Sequence, residues 1–224
     1  VAVAALAASG FGATLAISKA EDVGMSAERL KRIHPMIQAH MDGKDFSGAV
    51  TLVARKGKVV HFEAHGLADA EAKQAMTTGT LFRLASMTKP VTAVSILMLV
   101  EEGKLVLSDP VSKFVPEFKN PHVAVWNLPN DPAAAGLHLV PAAREITVRD
   151  LLPHTSGLAN AFEGPAGDYV RRANLPSGGS LDERVKRLAK LPLNFQPGTQ
   201  WEYSPGTGFD TLGLALPVYN FVSP

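Results

Sequence analysis

Ser86-Met87-Thr88-Lys89 places a hydroxyl and an amine three residues apart. On a helical turn that spacing puts both side chains on one face and within reach of each other. Such a pair can carry out acyl transfer: the hydroxyl becomes a nucleophile once a neighbouring base takes its proton, and a suitably placed lysine can be that base. Pro90 follows directly. Proline is tolerated in a first turn, where its missing N–H costs little, so the helix is expected to begin at or just before Ser86. The free N–H groups and positive dipole end of that turn would stabilise negative charge at the nucleophile and favour the neutral amine of Lys89. By itself S-x-x-K is also what a cap followed by a solvated lysine looks like. Its flanks argue for more. The strand-like run Leu81-Phe82-Arg83-Leu84 leads into it, and residues 91–100 form a helical run too apolar to face water, ended by Glu101-Glu102-Gly103. That helix is expected to be buried on most of its circumference.

Other polar groups invite weaker readings. His154 could be grouped with Ser86, but His154-Thr155-Ser156-Gly157 ends a short helix at a glycine, so C-capping and turn formation explain it. His61, Glu63 and His65 alternate on a strand and share a face. This is not the helical H-E-x-x-H spacing, so they read as a solvated strand face and no metal is assigned. No G-x-S-x-G surrounds a serine, which disfavours an α/β-hydrolase, and no glycine-rich loop resembles a phosphate cradle. No cofactor is expected.

The elements that must position Ser86 and Lys89 can be read from periodicity. Residues 26–40 carry Leu30, Ile33, Met36 and Ile37 at helical spacing behind Ser26 as N-cap. Residues 49–54 and 58–65 are β-rich and separated by Lys56-Gly57, which predicts a hairpin. Prolines 110, 116, 121, 129, 132 and 141 punctuate a stretch expected to be irregular, with only residues 122–128 resembling a strand. Thr147 should cap a short helix through Leu152, a second helix should cover residues 180–191, and loops should dominate the remainder. The mixed order predicts an α+β fold with helices segregated from an antiparallel sheet.

Three ordered blocks carry a family resemblance: Phe82 to Lys89, Leu151-Leu152-Pro153-His154-Thr155-Ser156-Gly157-Leu158, and Pro197-Gly198-Thr199-Gln200-Trp201-Glu202-Tyr203-Ser204. From about Gly24 to Gly213 the chain resembles the class C β-lactamase-like serine hydrolases, most closely the family VIII carboxylesterases. The resemblance implies a β-lactamase/transpeptidase-like fold, an antiparallel sheet flanked by helices plus a helical and loop subdomain. It further implies an acyl-enzyme on Ser86, with Lys89 and the Tyr203 phenol sharing the proton work and the Ser86 backbone N–H in the oxyanion hole. Read without the family, Tyr203 is a ring packed with Trp201 and Phe195.

The chain also departs from that pattern. Lactamases place an asparagine two residues after the tyrosine, where Tyr203-Ser204-Pro205 puts a proline that cannot make the same contact. An ester is therefore the expected substrate; a β-lactamase or D-Ala-D-Ala peptidase-like activity, or a non-catalytic remnant of the fold, is the alternative. The family's downstream strand with Lys-Thr-Gly, or a variant of it, has no counterpart here. The C-terminal sheet strands are thus expected to be absent, and with them one oxyanion donor, worth ~10²–10³ in rate. Such a chain is expected to be impaired in folding or activity unless a second chain completes the sheet.

Composition sets broader bounds. The 224 residues are 46% hydrophobic, enough for a real core, and 22 Lys and Arg balance 21 Asp and Glu, which leaves no basic surface for nucleic acid. The partner expected is a small ester. Cysteine is absent, so disulfides and thiolate chemistry are excluded. Residues 1–8 are small and apolar like part of a secretory signal, which points to export or the periplasm, with the cytoplasm as the alternative. Residues 1–20 are set apart as this segment, and 21–224 as the hydrolase domain. The segment is too short and broken to span a membrane.

Overall fold

A computed structural model describes residues 15–127, 136–159, 164–173, 180–204 and 206–215. The signal-like segment up to residue 14, Pro205 and the tail from Leu216 onward lie outside the described residues. The chain divides into two compact units, Val1–Arg83 and Leu84–Pro224.

In the first unit a short strand, β1 (Ala16–Ile17), precedes α1 (Ala27–Leu30). Ser26 opens α1 as expected, its hydroxyl accepting the Arg29 N–H at 3.2 Å. The single helix expected over residues 26–40 is in fact two, because the chain breaks at Lys31 and Arg32 before α2 (Ile33–Asp42). Pro35 causes the break: it has no N–H for the Lys31 carbonyl and its ring crowds that oxygen, yet it sits comfortably in the first turn of α2. The expected hairpin is present as β2 (Gly48–Arg55) and β3 (Lys58–Asp69). Lys56 at φ 52° and Gly57 at φ 70° are both left-handed, the conformation that a two-residue hairpin turn matched to strand twist demands. β1 runs parallel beside the start of β3, and β4 (Gln74–Ala75) pairs antiparallel near its end, giving the order β1-β3-β2 with β4 on β3.

The faces of this hairpin correct one expectation. Leu52 and Phe62, opposite each other in register, are exposed on one side. On the other, Glu63 is solvated but His61 and His65 are buried, because α2 lies over that face and His34 reaches His65.

The second unit begins at the nucleophile segment. Residues 81–84 form no strand, since none of the described strands pairs with them, and Leu81 stands in solvent. Ala85–Met87 make one 3-10 turn that runs into α3 (Thr88–Glu101), so the helical start falls where Pro90 predicts it. The expected burial of this helix is only half right. Ile96 and Leu99 are fully enclosed, whereas Val91, Val94, Leu97 and Met98 are exposed. α3 packs along one side, and an apolar stretch without periodicity cannot say which side that is.

The proline-rich stretch holds more order than expected: β5 (His122–Asn127) pairs with β6 (Gly136–Pro141), from His122 opposite Pro141 to Asn127 opposite Gly136. Pro141 can end β6 because a terminal position need not donate to the ladder. α4 (Val148–Leu151) follows, then α5 (Gly167–Ala173) and α7 (Thr207–Ala215), both in regions read as loop or left open, with α6 (Leu181–Leu188) between them as expected. One core joins these elements through Ile96 and Leu99 of α3, Leu105, Phe118, Val123, Leu151, Val185 and Leu212. The result is mixed α and β: each unit pairs helices with a small sheet, antiparallel except for the β1–β3 pair. No helix among the described residues is long and apolar enough to cross a membrane.

Candidate active site

The 3-10 turn carries Ser86 on a strained backbone. Ala85, just before it, has φ 46°, a left-handed conformation that costs a residue with a Cβ on the order of 1 kcal/mol. One turn further, the Lys89 ammonium donates to Ser86 Oγ at 3.1 Å. Ser86 Oγ lies 2.7 Å from Tyr203 Oη. Lys89 fills one of the two acceptor positions of the serine oxygen, and either hydroxyl can donate in the Ser86–Tyr203 contact; with Tyr203 as the phenolate, the serine donates and Tyr203 accepts. Lys89 Nζ also lies 5.2 Å from the centre of the Tyr203 ring and 5.6 Å from that of Phe209. Hydrogen bonding with Ser86, and then with Lys89, together with the lysine charge, hold the Tyr203 phenol below its ordinary range. The three residues singled out by sequence are thus brought together, and the reading of Tyr203 as a ring packed with Trp201 and Phe195 gives way: Trp201 is largely exposed and the phenol points to Ser86.

His154 does not join them as a triad histidine; it holds Tyr203 in place. Its carbonyl accepts the Glu202 N–H at 3.1 Å, and its Nδ1 lies 3.0 Å from Ser204 Oγ and 3.3 Å from the Ser204 nitrogen, so both chain neighbours of Tyr203 are gripped. The imidazole also sits against the phenol ring, centroids 4.8 Å apart. Burial, and then the nearby Lys89 charge, lower the His154 pKa and keep Nδ1 free to accept. That acceptor is lost only as pH falls through the lowered value. The turn departs from the sequence reading in what closes the helix: α4 ends at Leu151 and the left-handed residue after it is His154 (φ 61°), with the Thr155 N–H on the Asp150 carbonyl, while Gly157, at φ 80°, lies beyond, where a Cβ would meet the Phe195 carbonyl oxygen at 2.4 Å. The grip on Tyr203 was not legible, because it links residues 50 positions apart.

Beneath the turn, Asp150 ties the local structure together. It completes a capping box with Thr147 at the start of α4, and it accepts both arms of Arg144 at 2.6 and 2.9 Å. Its carbonyl takes the Thr155 N–H, which fixes the start of the His154 turn. Burial would raise its pKa, but the bonds from Arg144 and Thr147 outweigh that and hold it below the ordinary aspartate value. The stability it contributes is therefore present above that ordinary value and lost as pH falls through the lowered one. Asp150→Ala is expected to cost about 2–3 kcal/mol, less than a fully buried pair because Arg144 still reaches water, and urea unfolding at neutral pH would measure it.

A cleft of about 470 Å³ opens beside the serine, with Ser86, Lys89 and Thr92 on one wall and Phe209 and Asp210 on the other. Asp210 is paired with Arg184 at 2.9 Å. The arrangement sets a serine hydroxyl, a lysine and a phenol in mutual contact beside a partly apolar space.

Comparison with known proteins shows the family to which the chain belongs. The family model described as Beta-lactamase matches residues 33–217. Esterase EstB of Burkholderia gladioli is 40% identical over 174 residues, covering 75% of this chain and 40% of that protein. Among solved structures, EstCE1, described as a hydrolase with promiscuous acyltransferase activity, is similar with a TM-score of 0.68 and 32% identity over 83% of this chain and 45% of that one. Simvastatin synthase (LovD) from Aspergillus terreus has a TM-score of 0.66 and 25% identity over 85% of this chain and 48% of its own. The chain thus spans less than half the length of these relatives.

Proposed function

Because the chain belongs to the beta-lactamase family, we propose that it is a serine hydrolase that cleaves carboxylic esters through an acyl-enzyme on Ser86. The observation that carries this reading is the contact of Ser86 Oγ with both Lys89 and Tyr203. In the proposed first step, Ser86 Oγ attacks the ester carbonyl while its proton passes to the Tyr203 phenolate, which the Lys89 ammonium stabilises. The carbonyl oxygen becomes an oxyanion facing the Ser86 backbone N–H. Collapse of this intermediate breaks the ester C–O bond, and Tyr203 returns the proton to the departing alkoxide. Water then attacks the acyl-serine and gives up its proton to Tyr203; collapse of this second intermediate breaks the bond to Ser86 Oγ, Tyr203 returns the proton to that oxygen, and the acid leaves.

Esters are favoured over lactams on two grounds. The relatives EstB and EstCE1 are named as an esterase and a hydrolase, and Pro205 stands two residues after Tyr203, where lactamases carry an asparagine. Reaction with a fluorophosphonate is expected to add a single adduct to the chain, mapping to Ser86, and a short-chain aryl ester is expected to be turned over faster than nitrocefin. Faster nitrocefin turnover would move the assignment to a β-lactamase. No adduct on a chain that is folded by circular dichroism would leave only the non-catalytic reading.

A further inference from the structure

The buried histidine face of the first unit meets α2 in an unusual way. His34 Nδ1 and His65 Nδ1 face each other at 3.1 Å, with ring centres 5.2 Å apart. Two imidazoles sharing one tetrahedral zinc, with Zn–N about 2.05 Å, hold their nitrogens about 3.3 Å and their ring centres about 5.2 Å apart. A carboxylate oxygen of Glu63, on the same strand face as His65, completes a set of three donor atoms lying within 4.8 Å of one another. Glu63 is exposed, so its side chain is free to swing inward the remaining distance.

The shell behind these atoms fixes the histidine that matters most. Thr51 Oγ1 lies 2.9 Å from His65 Nε2 and 2.6 Å from His61 Nε2. A hydroxyl donates one bond and has two lone pairs that can accept. In the tautomer that suits a metal at His65 Nδ1, His65 Nε2–H donates to the Thr51 oxygen, whose own hydrogen can go to His61 Nε2, with the Glu63 carboxylate 3.7 Å from His61 Nδ1. His65 Nδ1 is then left as a lone pair aimed at His34, the arrangement by which a second shell sets the tautomer of a metal-ligating histidine.

We propose that His34, Glu63 and His65 bind a divalent late transition-metal ion of the zinc type, clamping α2 onto the β2–β3 hairpin. Imidazole nitrogens with one carboxylate suit zinc, and the exposed sides of His34 and Glu63 leave a coordination position for water. The site lies wholly within the first unit and does not depend on the chemistry proposed at Ser86.

The test is titration of the tag-free chain, stripped by chelator, with Zn²⁺ in a calorimeter, alongside its thermal melting. The expected result is uptake of a single equivalent with a raised melting temperature. His34→Ala, at an exposed position, should weaken binding by about tenfold or more and abolish the thermal shift while leaving the far-ultraviolet circular dichroism unchanged. Should that variant fail to fold, Glu63→Gln on the exposed strand surface carries the same test. Absence of stoichiometric uptake by the parent chain, or uptake that the folded variant does not weaken, overturns the site.

Discussion

Ser86→Ala is expected to lower kcat/KM for a short-chain aryl ester by about 10⁴-fold or more and to remove the fluorophosphonate adduct entirely. Without the hydroxyl no acyl-enzyme can form, and Lys89 and Tyr203 lose the atom on which both converge. The substitution should leave the fold intact, because Ser86 is exposed in a 3-10 turn and contributes nothing to the core. Equal melting temperatures with a lost rate would separate chemistry from structure. Retention of most of the rate in the variant would place the nucleophile elsewhere and defeat the proposed function at its first step.

The parts of this site that were legible in the sequence are those set by local spacing. Ser86 and Lys89 meet because three residues of helix bring them together, and Pro90 marks where that helix can begin. Caps were legible for the same reason: Ser26 and Thr147 each accept a backbone N–H three residues on. Tyr203 belongs to another category. It is 117 residues from Ser86, and only the ordered blocks shared with the β-lactamase-like hydrolases bring it into the site. Long-range packing hid the rest. His34 and His65 are 31 residues apart on different elements, so the strand alternation of His61, Glu63 and His65 looked like a water-facing edge when α2 in fact covers it. The break before α2 was written in Pro35, whose effect on the Lys31 carbonyl is local and could have been read. The exposed side of α3 was hidden for the opposite reason, since Val91, Val94, Leu97 and Met98 differ in no chemical way from the buried Ile96 and Leu99.

Tyr203→Phe is expected to lower kcat for the same ester by about 10²–10⁴-fold with little change in KM, the loss characteristic of a general base that acts on the transition state and not on binding. The ring, its packing on His154 and its contact with Lys89 should survive, because phenylalanine keeps everything except the hydroxyl. Dependence on pH distinguishes this from a merely structural loss. Ser86 and Lys89 hold the phenol below its ordinary range, so the phenolate that accepts the serine proton is present above that lowered value and disappears as pH falls through it. Activity of the parent chain should therefore rise with pH along a limb whose midpoint lies below the ordinary tyrosine pKa. The Phe variant should be slow across the range and should lose that limb. A variant that is slow but keeps the parental limb would assign the titration to another group, with Lys89 the first to examine because it is the other residue that touches the serine oxygen. His154→Ala provides the complementary comparison: it removes the imidazole's hold on Ser204 and its packing on the Tyr203 ring while the backbone bond to Glu202 and the phenol remain, so it should lower the rate less than Tyr203→Phe while preserving the alkaline limb.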